Sequence, residues 1–162
     1  MQLLLLRHGI AEDGVPDAAR PLSPAGIRRT TAVLQRLRAL DLRCDPLFSS
    51  PLLRARQTAE LAVAAGLAPA LQLASDLAPG GDAYSWLQGL NSSSSSTASP
   101  TGDGRLGLVG HEPDLSGLAA RLIGATAGSL QLKKAGLMVL AWQPGGGPAQ
   151  LQLLASPRLL LA

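Results

Sequence analysis

The chain has 162 residues, 46% of them hydrophobic and 15% charged, with a formal net charge of +3. A single domain of this length buries a substantial core, and with aromatics at 2% that core must be built from Leu, Ala and Val. The one cysteine, Cys44, excludes a disulfide framework and reads as a buried thiol in a reducing, cytoplasmic setting.

Residues 2–7 read as a buried strand in which four leucines lead into Arg7, His8 and Gly9. The run is too short for a membrane span and has no cationic stretch before it, so neither a membrane segment nor a signal peptide is expected. Ser23 and Pro24 signal an N-cap and a first helical residue. Ile27, Val33, Leu34, Leu37 and Leu40 then recur at helical spacing. Residues 46–49 read as a short strand, and Ser50-Pro51 repeats the cap-plus-proline signal for a helix to about residue 66. A third strand is expected at 70–74 and a short helix at 82–90. The segment 91–104, NSSSSSTASPTGDG, reads as a flexible Ser-rich loop within the domain.

A strand at 105–109 precedes a helix at 113–124. Residues 137–142 and 151–155 then alternate across a Gly/Pro turn as an antiparallel hairpin. Strands alternating with helices predict an α/β fold in one domain over 1–162. It is a three-layer sandwich: a mostly parallel central sheet, helices on both faces and an antiparallel C-terminal hairpin.

Nine of the twelve arginines lie at or before Arg56. Arg28, Arg29, Arg36 and Arg38 follow the polar face of the first helix, and no aromatic platform accompanies them for base stacking, so no nucleic-acid partner is expected. Lys133 and Lys134, ahead of the last hairpin, read as solvated charges.

Sites in open α/β sheets form beyond the carboxyl ends of the strands. Three predicted strand ends carry reactive residues: 7–9, 49–54 and 110–112. The only two histidines, His8 and His111, both fall at such ends. This set suits phosphoryl transfer. An imidazole nitrogen can attack phosphorus and hold the phosphoryl group covalently, and guanidinium groups grip its oxygens in planar, bidentate contacts. Gly9 is expected to let the backbone pass close to the phosphate. GDGRLG (102–107) precedes a strand instead of joining a strand to a helix, so it is no dinucleotide fingerprint, and no P-loop is present. Two distant histidines and one cysteine make no zinc site, and no carboxylate cluster suits magnesium. Neither metal nor cofactor is expected.

LLLLRHGIAE (3–12), RPLSPAG (20–26), FSSPLLRARQTAE (48–60), DLAPGGD (76–82) and LVGHEPDLSGL (108–118) together resemble the signature blocks, in order, of the histidine phosphatase superfamily. The resemblance covers roughly the first three quarters of the chain and implies the phosphoglycerate-mutase-like fold. The short length and the RPLSPAG and DLAPGGD blocks look more like SixA-type phosphohistidine phosphatases than the longer sugar-phosphate mutases. Carried over residue by residue, the resemblance implies His8 as the nucleophile and Arg7, Arg54 and His111 as the phosphate pocket. Gly9, Arg20 and Glu112 are further substrate contacts. Asp76 is the first choice of proton donor and Glu112 the alternative, each also readable as a helix N-terminal acid. Arg20 either reaches the phosphate rim or pairs with Asp17, and Arg56 faces away from Arg54. The implied substrate is phosphohistidine on a signalling protein, such as a histidine-containing phosphotransfer domain. The alternatives are a small phosphate ester, or a silent phosphate-binding module, which the complete residue set disfavours.

Overall fold

The leucine run divides its side chains by the two-residue period of a strand. Leu3 and Leu5 of β1 (Gln2–Arg7) join one core cluster, Leu4 and Leu6 another, and all four are at most 5% exposed. A strand buried on both faces therefore needs no alternation with polar residues, which is why it reads as continuous leucine.

The computed structural model describes residues 1–90 and 104–162. After β1 come α1 (Pro24–Ala39), β2 (Leu47–Ser49), α2 (Leu53–Ala64), β3 (Leu71–Leu73) and α3 (Ala83–Leu90). Then follow β4 (Arg105–Gly110), α4 (Asp114–Ile123), β5 (Leu137–Ala141), β6 (Gln150–Ala155) and α5 (Pro157–Leu160). Two 3-10 turns, Asp17–Ala19 and Ser75–Leu77, were not legible from periodicity. The six strands lie in the order β3-β2-β4-β1-β5-β6. The first four are parallel neighbours, and β5 and β6 add on antiparallel, as the predicted hairpin requires.

Helices cover both faces. Val33, Leu34 and Leu37 of α1, Ala55, Ala59 and Ala62 of α2 and Leu160 of α5 pack on the Leu4/Leu6 side. Leu87 of α3 and Leu115, Leu118, Ala119 and Leu122 of α4 pack on the Leu3/Leu5 side. The three-layer α/β prediction therefore holds.

Local signals decide where the helices start and stop. Ser23 Oγ accepts from the Gly26 N–H (3.0 Å), with Pro24 in the first turn as predicted. Gly124, at φ 73, closes α4 in the left-handed conformation that a C-terminal cap favours.

Two expectations need correction. Ile27 and Leu40 are 40% and 47% exposed, because Ile27 sits at the edge of the buried Gly26–Thr30–Val33–Leu37 stripe and Leu40 is the C-cap. The helix expected at Ser50-Pro51 begins only at Leu53, because Ser50 is still tied to the sheet. Residues 157–160, for which no element was predicted, form α5 under the same Ser-Pro cap signal, with Ser156 Oγ accepting from the Leu159 N–H. The expected Ser-rich loop lies, apart from Gly104, outside the described residues. Among the described residues no helix is long and apolar enough to cross a membrane.

Candidate active site

Strand register assembles the site. β1 and β4 are parallel with Arg7 opposite Gly110, and the His8 N–H donates to the Gly110 carbonyl (3.1 Å). Each strand is followed at once by a histidine, so His8 and His111 stand side by side with ring centroids 5.1 Å apart, about one strand spacing. On the far side of β4, Ser49 of β2 lies opposite Val109, and the Ser50 N–H donates to the Val109 carbonyl (3.0 Å). That places the Ser50 hydroxyl 2.8 Å from His111 Nε2. The first turn of α2 then carries Arg54 back over the strand ends, where its Nε donates to His8 Nε2 (3.3 Å).

The tautomer of His8 follows from one contact. Its Nδ1 lies 2.6 Å from the Gly9 carbonyl, which can only accept, so Nδ1 carries the proton and Nε2 holds the lone pair that accepts from Arg54 Nε. Burial, with His8 7% exposed, lowers its pKa to about 3, and neighbouring His111, Arg54 and Arg7 push the same way against the Gly9 bond. His111 is lowered to about 4, again chiefly by burial and then by Arg54. Both imidazoles are neutral at physiological pH, which is the form a nucleophile needs.

The cations are set by carbonyls and one acid. Arg54 donates from one terminal nitrogen to the Asp17 carbonyl (2.8 Å) and from the other to its carboxylate (3.0 Å). Arg20 holds that carboxylate from the other side (2.9 Å). Hydrogen bonds from Arg20 and then Arg54 depress the Asp17 pKa, so the acid stays ionised. Arg7 donates to the Leu132 carbonyl (2.8 Å), and burial lowers its pKa against the attraction of Glu112. Arg7 Nε and His111 Nδ1 are buried without a protein partner among the described residues. Buried polar atoms are normally bonded, and an oxyanion would supply the missing acceptor for Arg7 Nε. The arrangement can thus present a neutral imidazole lone pair to a tetrahedral oxyanion between two guanidinium groups.

The remaining predicted residues divide. Gly9 is required by packing: a Cβ there would collide with Thr30 Oγ1 of α1 and approach Leu22 Cδ2 at 3.2 Å. Its N–H is taken by Thr58 Oγ1 (3.1 Å). Glu112 accepts from Ser116 N–H (3.1 Å) and Ser116 Oγ (2.5 Å), which makes it an acid at the start of α4. Asp76, half-buried in the 3-10 turn after β3, has only a weak contact from Ser75 Oγ (3.4 Å). Arg20 pairs with Asp17, and Arg56 turns away to Glu60 (3.2 Å). Cys44 is buried under the sheet with its thiol pushed up to about 12, as a structural thiol requires. Sequence reasoning missed the link from Asp17 to Arg54 and the link from Ser50 to His111. Ser50 carried the same Ser-Pro signal as a helix cap, and Asp17 was legible only as a neighbour of Arg20. Among the described residues no group of three or more His, Cys, Asp or Glu side chains is placed to hold a metal.

The family model described as Histidine phosphatase superfamily (branch 1) matches residues 3–78. The chain belongs to that superfamily. It is a phosphatase. The matched residues include Arg7, His8, Arg54 and Asp76, while His111 and Glu112 lie beyond them. An uncharacterized protein of Picosynechococcus sp. is 42% identical, with 99% of each chain covered. Among solved structures, the protein histidine phosphatase SixA complexed with tungstate superposes with a TM-score of 0.82 at 24% identity, covering 98% of both chains. A putative phosphohistidine phosphatase SixA from Nakamurella multipartitia gives 0.72 at 25% identity, covering 96% of this chain and 95% of that one.

Proposed function

We propose that this phosphatase removes phosphate from phosphohistidine on proteins, through a phosphorylated His8. The observation that carries the reading is the His8 lone pair, fixed at Nε2 by the Gly9 carbonyl and facing Arg54 at the carboxyl end of the sheet. His8 Nε2 attacks phosphorus. As that P–N bond forms, the P–N bond to the substrate imidazole breaks, and the departing ring leaves with a proton. Water then attacks phosphohistidine-8, releasing inorganic phosphate and restoring the neutral ring. Arg7, Arg54 and His111 bind the phosphoryl oxygens, and Asp17 positions Arg54. Asp76 is the proton donor in this reading, because Glu112 is already engaged by Ser116.

The substrate assignment is supported by the short connections around the site. Residues 8–23, 50–52, 74–82 and 111–113 carry two 3-10 turns and no inserted layer, so a side chain presented from another protein has access. A cytoplasmic setting, in which Cys44 stays a buried thiol, is part of the proposal.

The test is brief incubation with a phosphoryl donor, followed by quenching and mass spectrometry. An acid-labile, base-stable phosphate on His8 is expected, and phosphate on serine or aspartate overturns the mechanism. A phosphorylated histidine-containing phosphotransfer domain should give a higher kcat/KM than a panel of sugar phosphates. The reverse order assigns the enzyme to small esters.

A further inference from the structure

Arg7 also forms one wall of a groove of about 510 Å³, flanked by Arg29 of α1, Lys133, Lys134 and Arg158 of α5, and containing no carboxylate. Other arginines near the site are paired with acids: Arg54 with Asp17, Arg20 with Asp17 and Asp13, and Arg56 with Glu60. The groove cations are not. Among the described residues Arg29, Lys134 and Arg158 make no ion pair and no side-chain hydrogen bond, and Lys133 reaches only Gln131 (2.7 Å).

The two lysines do not ride on a loose loop. The buried Ala135 N–H donates to both the Arg7 and His8 carbonyls (3.1 Å each), and Gly136 N–H donates to the Lys133 carbonyl (2.7 Å). Arg7 also donates to this segment twice, through its N–H to the Gly136 carbonyl (3.2 Å) and its guanidinium to the Leu132 carbonyl (2.8 Å). Ala135 adopts a left-handed φ of 56, a conformation that non-glycine residues hold only where surroundings enforce it. The turn is therefore stitched to the strand that carries the nucleophile, at a set distance from it.

We propose that this groove docks an acidic surface of the phosphohistidine-bearing protein, with the phosphorylated side chain delivered past Arg7 to His8. This inference rests on the phosphohistidine reading above. One phosphate is already met by Arg7, Arg54 and His111, so four further exposed cations from three chain segments suit several spaced carboxylates better than a second small anion. Charges of this kind govern encounter and docking more than the chemical step.

The experiment compares wild type with the Arg29→Glu/Lys134→Glu/Arg158→Glu variant on a phosphorylated histidine-containing phosphotransfer domain and on para-nitrophenyl phosphate. Expected is a rise in KM for the phosphoprotein of about tenfold or more at low salt, with kcat and all para-nitrophenyl phosphate parameters unchanged. Wild-type KM for the phosphoprotein should also rise steeply with salt, since exposed charges are screened. Phosphoprotein KM within twofold of wild type, or an equal rise for para-nitrophenyl phosphate, overturns the docking face alone. A wild-type enzyme that turns over para-nitrophenyl phosphate through His8 but leaves the phosphoprotein untouched overturns the substrate reading and the docking face with it.

Discussion

Lowering the pH from 7.5 to 5.0 should weaken this fold through the two site histidines. In the folded protein His8 and His111 titrate at about 3 and about 4, whereas in the unfolded chain each titrates near 6.5. Both folded values are depressed, so the unfolded state binds more protons, and stability is complete above about pH 6.5 and lost as the pH falls toward the folded values. At pH 5.0 each unfolded imidazole is roughly 1.5 units below its own pKa, which costs ~2 kcal/mol per histidine and ~4 kcal/mol together. Ordinary carboxylates remain largely ionised at that pH in either state and contribute little. Against a typical total of 5–15 kcal/mol, a loss of ~4 is large. With a urea slope of ~2 kcal/mol per M, the unfolding midpoint should fall by roughly 2 M. Urea titrations followed by circular dichroism at the two pH values measure this directly. His8→Gln and His111→Gln should each remove about half of the drop, whatever they do to stability at pH 7.5. A wild-type midpoint that does not move, or a double variant that keeps the full drop, refutes the burial argument.

Arg54→Lys keeps the charge but loses the fork that binds His8 and Asp17 together, so kcat on para-nitrophenyl phosphate should fall by roughly 10- to 1,000-fold with the fold intact. A near wild-type rate removes Arg54 from the oxyanion clamp. Gly9→Ala should destabilise by ~1–3 kcal/mol through overpacking on Thr30, and Thr30→Ala should restore most of it in a double-variant cycle read by thermal unfolding. Unchanged stability in Gly9→Ala contradicts the close approach. Asp76→Asn should slow alkyl phosphates by ~10²–10⁴-fold and activated aryl phosphates far less, since general acid catalysis matters most for poor leaving groups. Glu112→Gln should be mild on both, and the opposite pattern transfers the donor role to Glu112.

The sequence by itself determined most of the elements and the kind of chemistry. Leu3–Leu6 read as a buried strand, Ser23-Pro24 as a helix start, and two histidines at two strand ends as a pair, because these signals depend on local composition and on the rule that sites form beyond the carboxyl ends of parallel strands. Tertiary structure alone decided how the pieces interlock. Asp17 reaches Arg54 across 37 residues and Ser50 reaches His111 across 61, so neither contact leaves a trace in local spacing. Gly9 looks like a phosphate-loop glycine in the sequence, yet its neighbour is Thr30, brought there by the packing of α1 on the sheet. The basic groove likewise joins residues from α1, the turn before β5 and α5. Hydrophobic periodicity specifies which face of each element is buried, but the neighbours of a side chain beyond the strand ends depend on the crossing of distant elements, and only the folded chain sets that crossing.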